Sequence, residues 1–541
     1  MSKKKPQKHQ EPKKEEPVVQ PLEEQGKGLS NKLLLGLTFL LAVVYFIFSS
    51  FSDGFYMHDE VSNFINAQNI WYDGFLDIVG ANMKGGYRIL YAIPSLGGFT
   101  FMKFFNSLTA AFTVYFSYKI LEKIGSRHKL LIFFVLGLQP LWFMLSFRNY
   151  TELTVAFLLT LSVLQFVNKK YIWAALLISY VAFIRSEYHL ISGLLFLVLL
   201  FRKEWIAALL TGTFTALQNL LGYIETGDIL YLPHAMSSFS ERIKDAWPKQ
   251  GFDHYFLMAT VIFGALAVTL FIAYIGIVVI KKKRPNWYLL VPALLIFLLN
   301  CAINSQSMDF GPGNGGNLRY LITISPLVGM IGVLAVDEIS GFVKKYLLLV
   351  FLIPLMMAVG IYQTYEHNFI KFTEVEDWKP LIFTILTAVV LLLPLKAKHY
   401  TYLISALAIM VSVSTISVRK IQPEELTVKK AAKWYTKQLK QGQLFTEDNR
   451  IVCGHSLFFF YLEKNKNQFK KRPENLLMKE VTDTLSKGDL VIWESHYGYR
   501  PKLRPTSQPY EFYEKSPDFQ KIQYYQSSDR RFTIVFFQKT N

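Results

Sequence analysis

Phe51-Ser-Asp-Gly-Phe-Tyr-Met-His58-Asp59-Glu60 decides the fold, because it follows directly on an apolar run from Leu33 to Phe51. That run matches the about 20 residues a helix needs to cross a bilayer core. A His-Asp-Glu cluster is thereby set down where a membrane helix ends. Adjacent carboxylates beside lipid are costly unless they face water, a cation or a reacting group, which makes His58, Asp59 and Glu60 candidates for a functional site. The plainer alternative is that Asp59 and Glu60 cap an interfacial helix, since carboxylates favour helix N-termini.

The rest of the chain has the same apolar character. Its 541 residues are 52% hydrophobic, 16% aromatic and 18% charged, with a mean hydropathy of +0.25. The apolar residues come in repeated runs rather than one tail, the pattern of a polytopic α-helical membrane protein. The first run lies behind a long charged tail and is too long for a signal-peptide core, so it is expected to be retained. A net charge of +18 would suggest nucleic acid in a soluble chain. Here the positive-inside rule and anionic lipid headgroups explain much of it, and no nucleic-acid partner is expected. Cys301 lies in an apolar segment and Cys453 near the C-terminus, so neither a disulfide nor a ligand-spaced cluster is expected.

Residues 1–31 are charged, contain prolines and are poor in apolar side chains, which predicts a disordered tail. Residues 32–418 hold about thirteen candidate spans. They lie near 33–51, 97–120, 130–147, 151–167, 171–185, 188–201, 204–222, 256–280, 287–304, 320–337, 346–363, 380–395 and 400–417. Alternate connections are basic: Lys123 with Arg127 and Lys129, Lys169-Lys170, Arg202-Lys203, Lys281 to Arg284, Lys344-Lys345, and Lys396 with Lys398. The intervening ones, Asp53 to Arg88, Glu225 to Asp253 and Glu366 to Lys379, are mixed or acidic. The tail is therefore expected in the cytoplasm and residues 419–541 on the far side. That last segment loses the long apolar runs. An amphipathic helix from Glu424 to Leu439 and strands at Ile451, Asp489 to Glu494 and Arg531 to Phe537 predict a small α/β extracytoplasmic domain.

On this topology the polar residues at far-side helix ends form a set: His58, Asp59 and Glu60; Tyr87 and Arg88; Arg148, Asn149 and Glu152; Arg185, Glu187 and His189; and Arg319 with Tyr320. A single arginine there could snorkel. Four of them, three with carboxylates nearby, run against the positive-inside bias. Arginine presents a planar fork matched to phosphate oxygens, and a carboxylate at the same depth can take a proton from an attacking hydroxyl. Together they suit displacement at a sugar carbon with a lipid phosphate as leaving group. The competing role is structural, an ion pair of Arg148 with Glu152 at i, i+4 spacing.

These residues resemble the GT-C superfamily of polytopic glycosyltransferases, most closely the mannosyltransferases of the dolichol and GPI-anchor pathways (glycosyltransferase family 22-like). His58-Asp59-Glu60 is similar to that family's His-Pro-Asp-Glu motif without its proline. Gly86-Tyr87-Arg88-Ile89 with Pro94 resembles its Gly-Leu-Arg-Ser stretch, and Arg148-Asn149-Tyr150-Thr151-Glu152-Leu153 its arginine-plus-glutamate helix start. Arg185-Ser186-Glu187 resembles a later Arg-Pro-Thr, and Arg319-Tyr320 with Pro326 a further arginine-aromatic segment. The resemblance runs over residues 30–340. It implies an inverting glycosyltransferase that moves a sugar, mannose in that family, from a polyprenyl-phosphate-linked donor to a lipid-linked glycan, glycolipid or protein. Asp59 is the expected base and Glu60 its reserve; Arg319 and Arg185 are expected on the donor phosphate; His58, Arg88, Arg148, Glu152, Glu187 and Tyr320 are expected to shape the pocket. No cofactor is expected, and a divalent metal is left open. The multi-pass membrane location expected is a bacterial plasma membrane.

His234 and His254, with Asp228, Glu241 and Asp253, fit no metal-ligand spacing and are expected to be solvated loop residues. The loop from Asp309 to Asn317 is glycine-rich and could approach a phosphate, or simply be flexible. The alternative class is a lipid or polysaccharide transporter, which predicts midplane charges and internal repeats. Neither is found in the sequence.

Overall fold

The computed structural model describes residues 29–72, 84–243, 247–308, 313–339, 345–363, 378–442, 444–464, 468–474 and 477–541. Most of the tail 1–31, residues 366–377 of the loop Glu366 to Lys379, and Asp309–Pro312 of the glycine-rich loop lie outside them.

Helix α1 (Asn31–Phe51) is capped by Ser30, whose side chain accepts from the Leu33 N–H. Its buried stripe is Leu34, Thr38, Ala42, Tyr45 and Ser49, while Phe39, Leu40, Val43 and Ile47 are exposed. A helix whose outward face is the more apolar one is built for lipid rather than water. The stretch Leu318–Ile339 is the opposite case: 89% of its apolar window is buried against 28% for α1, so it runs through the centre of the bundle.

Among the described residues, three helices are long and apolar enough to cross a membrane, Asn31–Phe51, Trp287–Asn304 and Leu318–Ile339. His254–Ile262 and Ala265–Ile280 make a fourth candidate that bends by 118°. The bend sits at Gly264, whose φ of +83° suits glycine. Several other expected spans are shorter or broken. The run near 130–147 is divided into Lys129–Leu131, Ile132–Val135 and Pro140–Leu145, and that near 204–222 into Trp205–Leu210 and Thr213–Thr226. Apolar composition sets where a segment is buried; turns inside it are fixed by packing. After α1 come α2 (Asp59–Asn69), α3 (Gly85–Leu96) and the long α4 (Gly98–Ile124).

Charge is sorted between the two ends of the central stretch. At its C-terminal end Asp337 lies 2.7 Å from His128, and Glu338 meets Lys283 at 2.7 Å. These belong to the basic connections, whereas Arg319 marks the other end.

The C-terminal part begins with the helix Pro423–Gln441, which has a capping box between Gln422 and Glu425, proline at its start and Gly442 in a left-handed C-cap. Among the described residues four strands follow: β1 (Ile451–Cys453), β2 (Leu490–Glu494), β3 (Phe519–Gln526) and β4 (Thr533–Lys539), in the order β1-β2-β4-β3. β1 and β2 are parallel, with Cys453 opposite Ile492, and the other pairings are antiparallel. The sequence does not suggest β3, an edge strand whose polar residues Gln520, Lys521 and Gln526 are exposed. One face of the sheet buries Ile451, Leu490, Ile534 and Phe536 against Val428 and Tyr435 of the helix, and also against Phe55 and Val61. The loop after α1 is thus part of this core. The loop after α1 and the segment before the helix Pro423–Gln441 touch closely at Gly54, whose N–H donates to Arg419 O at 3.0 Å and where an added Cβ would lie 2.1 Å from Lys420 O. Cys301 and Cys453 are both buried free thiols.

Candidate active site

Asp59 opens α2, in whose first turn both it and Glu60 lie, but the helix turns their side chains in different directions. Glu60 is fully buried and forms an ion pair with Arg148 at 2.7 Å. Arg148 also donates to Gly54 O at 3.1 Å and to Ser52 Oγ at 2.8 Å. This pair ties the loop after α1 to the bundle behind the site. Asp59 instead has a half-exposed side chain and is ion-paired with Arg319.

Arg319 is aimed by the backbone before it. Gly315 and Gly316 both have left-handed φ, +66° and +67°, and the Asn317 side chain accepts from the Arg319 N–H, opening the 3-10 segment Leu318–Ile324. Its guanidinium stacks over Tyr150 at 4.8 Å and approaches Tyr320 at 5.5 Å. Tyr150 in turn holds the Met57 N–H at 3.0 Å. On its other side Arg319 meets Glu152 at 3.0 Å. Glu152 also pairs with Arg185 at 2.7 Å, and Arg185 with Glu187 at 2.5 Å. Arg185 projects from a helix break: Tyr171–Ile184 ends, and Arg185 is extended before the turn Ser186–Tyr188. It stacks over Tyr320 at 4.7 Å. Five charged groups, Asp59, Arg319, Glu152, Arg185 and Glu187, therefore form one chain of alternating sign.

The expected Arg148–Glu152 pair does not form. Tyr150 is extended and the helix starts at Thr151, so Arg148 lies outside the helical register that would bring the two together. Each has another partner.

This charge chain borders a cavity of about 1930 Å³ lined by His58, Asp59, Arg88, Arg185, Glu187, Arg319 and Tyr320, by apolar residues such as Phe64, Phe99 and Leu299, and by Lys429, Lys433 and Tyr497 of the C-terminal part. Of the sequence candidates, Glu60, Arg148 and Glu152 stand behind this wall. Lys84, just before α3, was not anticipated: it lines the cavity and donates to Asn63 at 3.2 Å. Partial desolvation would raise the Asp59 pKa, but Arg319 and then Lys84 outweigh it and hold the carboxyl below the usual carboxylate range. The His58 imidazole is pushed down to about 3, first by burial and then by His455, so it is neutral at physiological pH. Its Nδ1 lies 2.9 Å from the Tyr497 hydroxyl.

His455, His496 and Glu424, which meet at His58, were also missed. A sequence signal exists: β1 and β2 are each followed, two residues on, by a histidine. His254 is buried 2.8 Å from Gly316 O rather than solvated, and the exposed His234 pairs with Asp228 at 2.7 Å.

No family model matches the chain, and no curated protein matches it in sequence. Solved structures match it in fold. The crystal structure of ArnT from Cupriavidus metallidurans bound to undecaprenyl phosphate aligns with a TM-score of 0.55 at 10% identity, over 94% of this chain and 98% of that one. The apo state of ArnT from the same organism aligns with a TM-score of 0.54 at 11% identity, over 93% and 98%. At such identity the likeness is one of fold: this chain shares its overall fold with ArnT.

Proposed function

We propose that this protein is a membrane glycosyltransferase that takes a sugar from a polyprenyl-phosphate-linked donor and passes it to a hydroxyl of a lipid-linked, glycolipid or protein acceptor. The observation that carries this reading is the Asp59–Arg319 pair on the wall of a large cavity lined by both polar and apolar groups. The fold shared with ArnT, whose crystal structure holds undecaprenyl phosphate, supports the donor class.

In this reading the donor phosphate takes the place of the Asp59 carboxylate on Arg319, with Lys84 beside it. Asp59, released from its counter-ion, then accepts the proton of the attacking hydroxyl while the sugar–phosphate bond breaks. Arg319 neutralises the charge that builds on the leaving phosphate. Arg185 reaches the same phosphate or, held by Glu152 and Glu187, keeps Arg319 in place. Glu60, paired with Arg148, has a structural role here rather than that of a reserve base. The motif resemblance makes mannose the first sugar to try. The charge sorting along the bundle supports a cytoplasmic N-terminus with residues 419–541 on the far side of the membrane, and the fold shared with ArnT from Cupriavidus metallidurans supports a bacterial plasma membrane as that membrane.

The test is reconstitution in liposomes with a panel of polyprenyl-phosphate sugars and extracted lipid acceptors. Release of polyprenyl phosphate with transfer of the sugar is expected. Movement of intact donor across the bilayer without its consumption would instead make the protein a transporter.

A further inference from the structure

We propose that His58, Glu424 and His496 form a binding site for a divalent transition metal of the zinc class, clipping the loop after α1 to the C-terminal sheet. Among the described residues, His58, Glu424 and His496 each offer a potential ligand atom, a ring nitrogen or a carboxylate oxygen, and the three atoms all lie within 4.8 Å of one another. Two ligands of one tetrahedral zinc, each bonded at 2.0–2.2 Å, stand about 3.3 Å apart. The Glu424 Oε1 distances of 2.7 Å to His496 and 3.8 Å to His58 bracket that value. His455 Nε2 approaches the same oxygen at 3.1 Å. His455 and His496 both hydrogen-bond this oxygen, and His58, 3.8 Å from it, completes a ring of three imidazoles about one carboxylate.

The fold places these groups rigidly. His58 ends the loop before α2, and Glu424 sits in the first turn of the helix Pro423–Gln441. His455 and His496 leave the same edge of the sheet, because β1 and β2 are parallel neighbours and each histidine follows its strand. The carboxyl ends of adjacent parallel strands are a usual place for a ligand. Two imidazoles with one carboxylate suit zinc rather than magnesium or calcium, which take oxygen ligands. The cluster is partly open, with side-chain exposures of 14% for His58, 24% for Glu424 and 37% for His496, and His58 and Tyr497 line the large cavity. A metal held there has three protein ligands and room for a fourth from water or a bound molecule. It displaces the Tyr497 hydroxyl from His58, and His455 orients Glu424 from behind. The site does not depend on sugar transfer, so a protein inactive as a transferase still tests it.

The full-length protein in detergent is stripped with a chelator, dialysed against zinc chloride or cobalt chloride, and assayed for metal content, cobalt visible absorption and thermal unfolding. One equivalent of zinc, a four-coordinate cobalt spectrum and a zinc-dependent rise in unfolding temperature are expected. Glu424→Gln and His496→Ala lose a direct ligand, so each weakens zinc binding by more than the ~10–100-fold typical of an outer-shell partner. His455→Ala falls within that ~10–100-fold range. His496→Cys replaces the ligand by a thiolate and retains the metal, with the cobalt spectrum shifted, which separates ligand loss from misfolding. Substoichiometric zinc in the wild type, or a loss below ~10-fold in both Glu424→Gln and His496→Ala, overturns the proposal.

Discussion

Asp59→Asn separates catalysis from architecture at this site. The amide keeps the shape but cannot accept a proton, and removing a general base costs ~10²–10⁴-fold in rate, or ~3–5 kcal/mol in barrier. The structural loss is smaller. The Asp59 side chain is half-exposed and Arg319 retains Glu152 at 3.0 Å, so the broken pair is worth no more than ~1 kcal/mol of stability after solvent screening. Removing the carboxylate also leaves Arg319 freer for the donor phosphate. Donor affinity should therefore stay constant or rise while kcat collapses, a split that general misfolding cannot produce. The pH profile follows from the same pair. Because the folded carboxyl is held below its ordinary value of about 3.9 by Arg319 and Lys84 despite partial desolvation, the base form is fully populated from neutrality down to about pH 4. The acid limb of kcat/KM, and the stability that the pair contributes, are lost only as pH falls further, through the folded pKa. The assay is consumption of lipid-linked sugar in liposomes over a range of donor concentration and pH, with thermal unfolding as control. Near-normal turnover in Asp59→Asn, with Glu60→Gln inactive at wild-type stability, would refute the assignment and exchange the two roles.

Arg319→Lys keeps the charge but cannot hold the geometry in which separate guanidinium nitrogens meet Asp59 and Glu152. Turnover should fall by ~10²-fold without a matching loss of unfolding temperature, and Arg319→Ala should be slower and bind donor more weakly; wild-type kinetics in the lysine variant would make Arg319 an anchor. Gly54→Ala sets a methyl 2.1 Å from Lys420 O, so the seam must open, at a cost of ~1–3 kcal/mol read in thermal unfolding, and an unchanged unfolding temperature would mean that the seam yields freely. Reporter fusions after Lys170 and after Lys420 should report opposite compartments, and a common compartment would refute the orientation read from the basic loops.

Much of the site was legible in the sequence because its residues lie where apolar runs stop. Asp59, Arg185, Arg319 and Tyr320 are each found at such a boundary, and hydropathy together with the alternation of basic connections groups them at one end of a bundle. The helix from Glu424 and three of the strands were equally visible, since amphipathic spacing and β-branched runs are local signals; edge strand β3, whose apolar residues are interrupted by Gln520, Lys521 and Gln523, lacks a clean alternation. Breaks within apolar runs were not visible, since a left-handed glycine such as Gly264 changes direction without changing hydropathy.

Tertiary structure alone decided the partners. Asp59 and Glu60 are neighbours in sequence, yet one pairs with Arg319 at the cavity and the other with Arg148 behind it. Successive residues on a helix point about 100° apart, and which direction faces the cavity depends on segments hundreds of residues away. For the same reason Lys84, and the histidines that gather on Glu424, could be recognised only once the loop after α1 had met the C-terminal sheet. Hydrophobic periodicity is set by each segment's own residues, whereas an ion pair or a ligand cluster exists only between segments that folding has brought together.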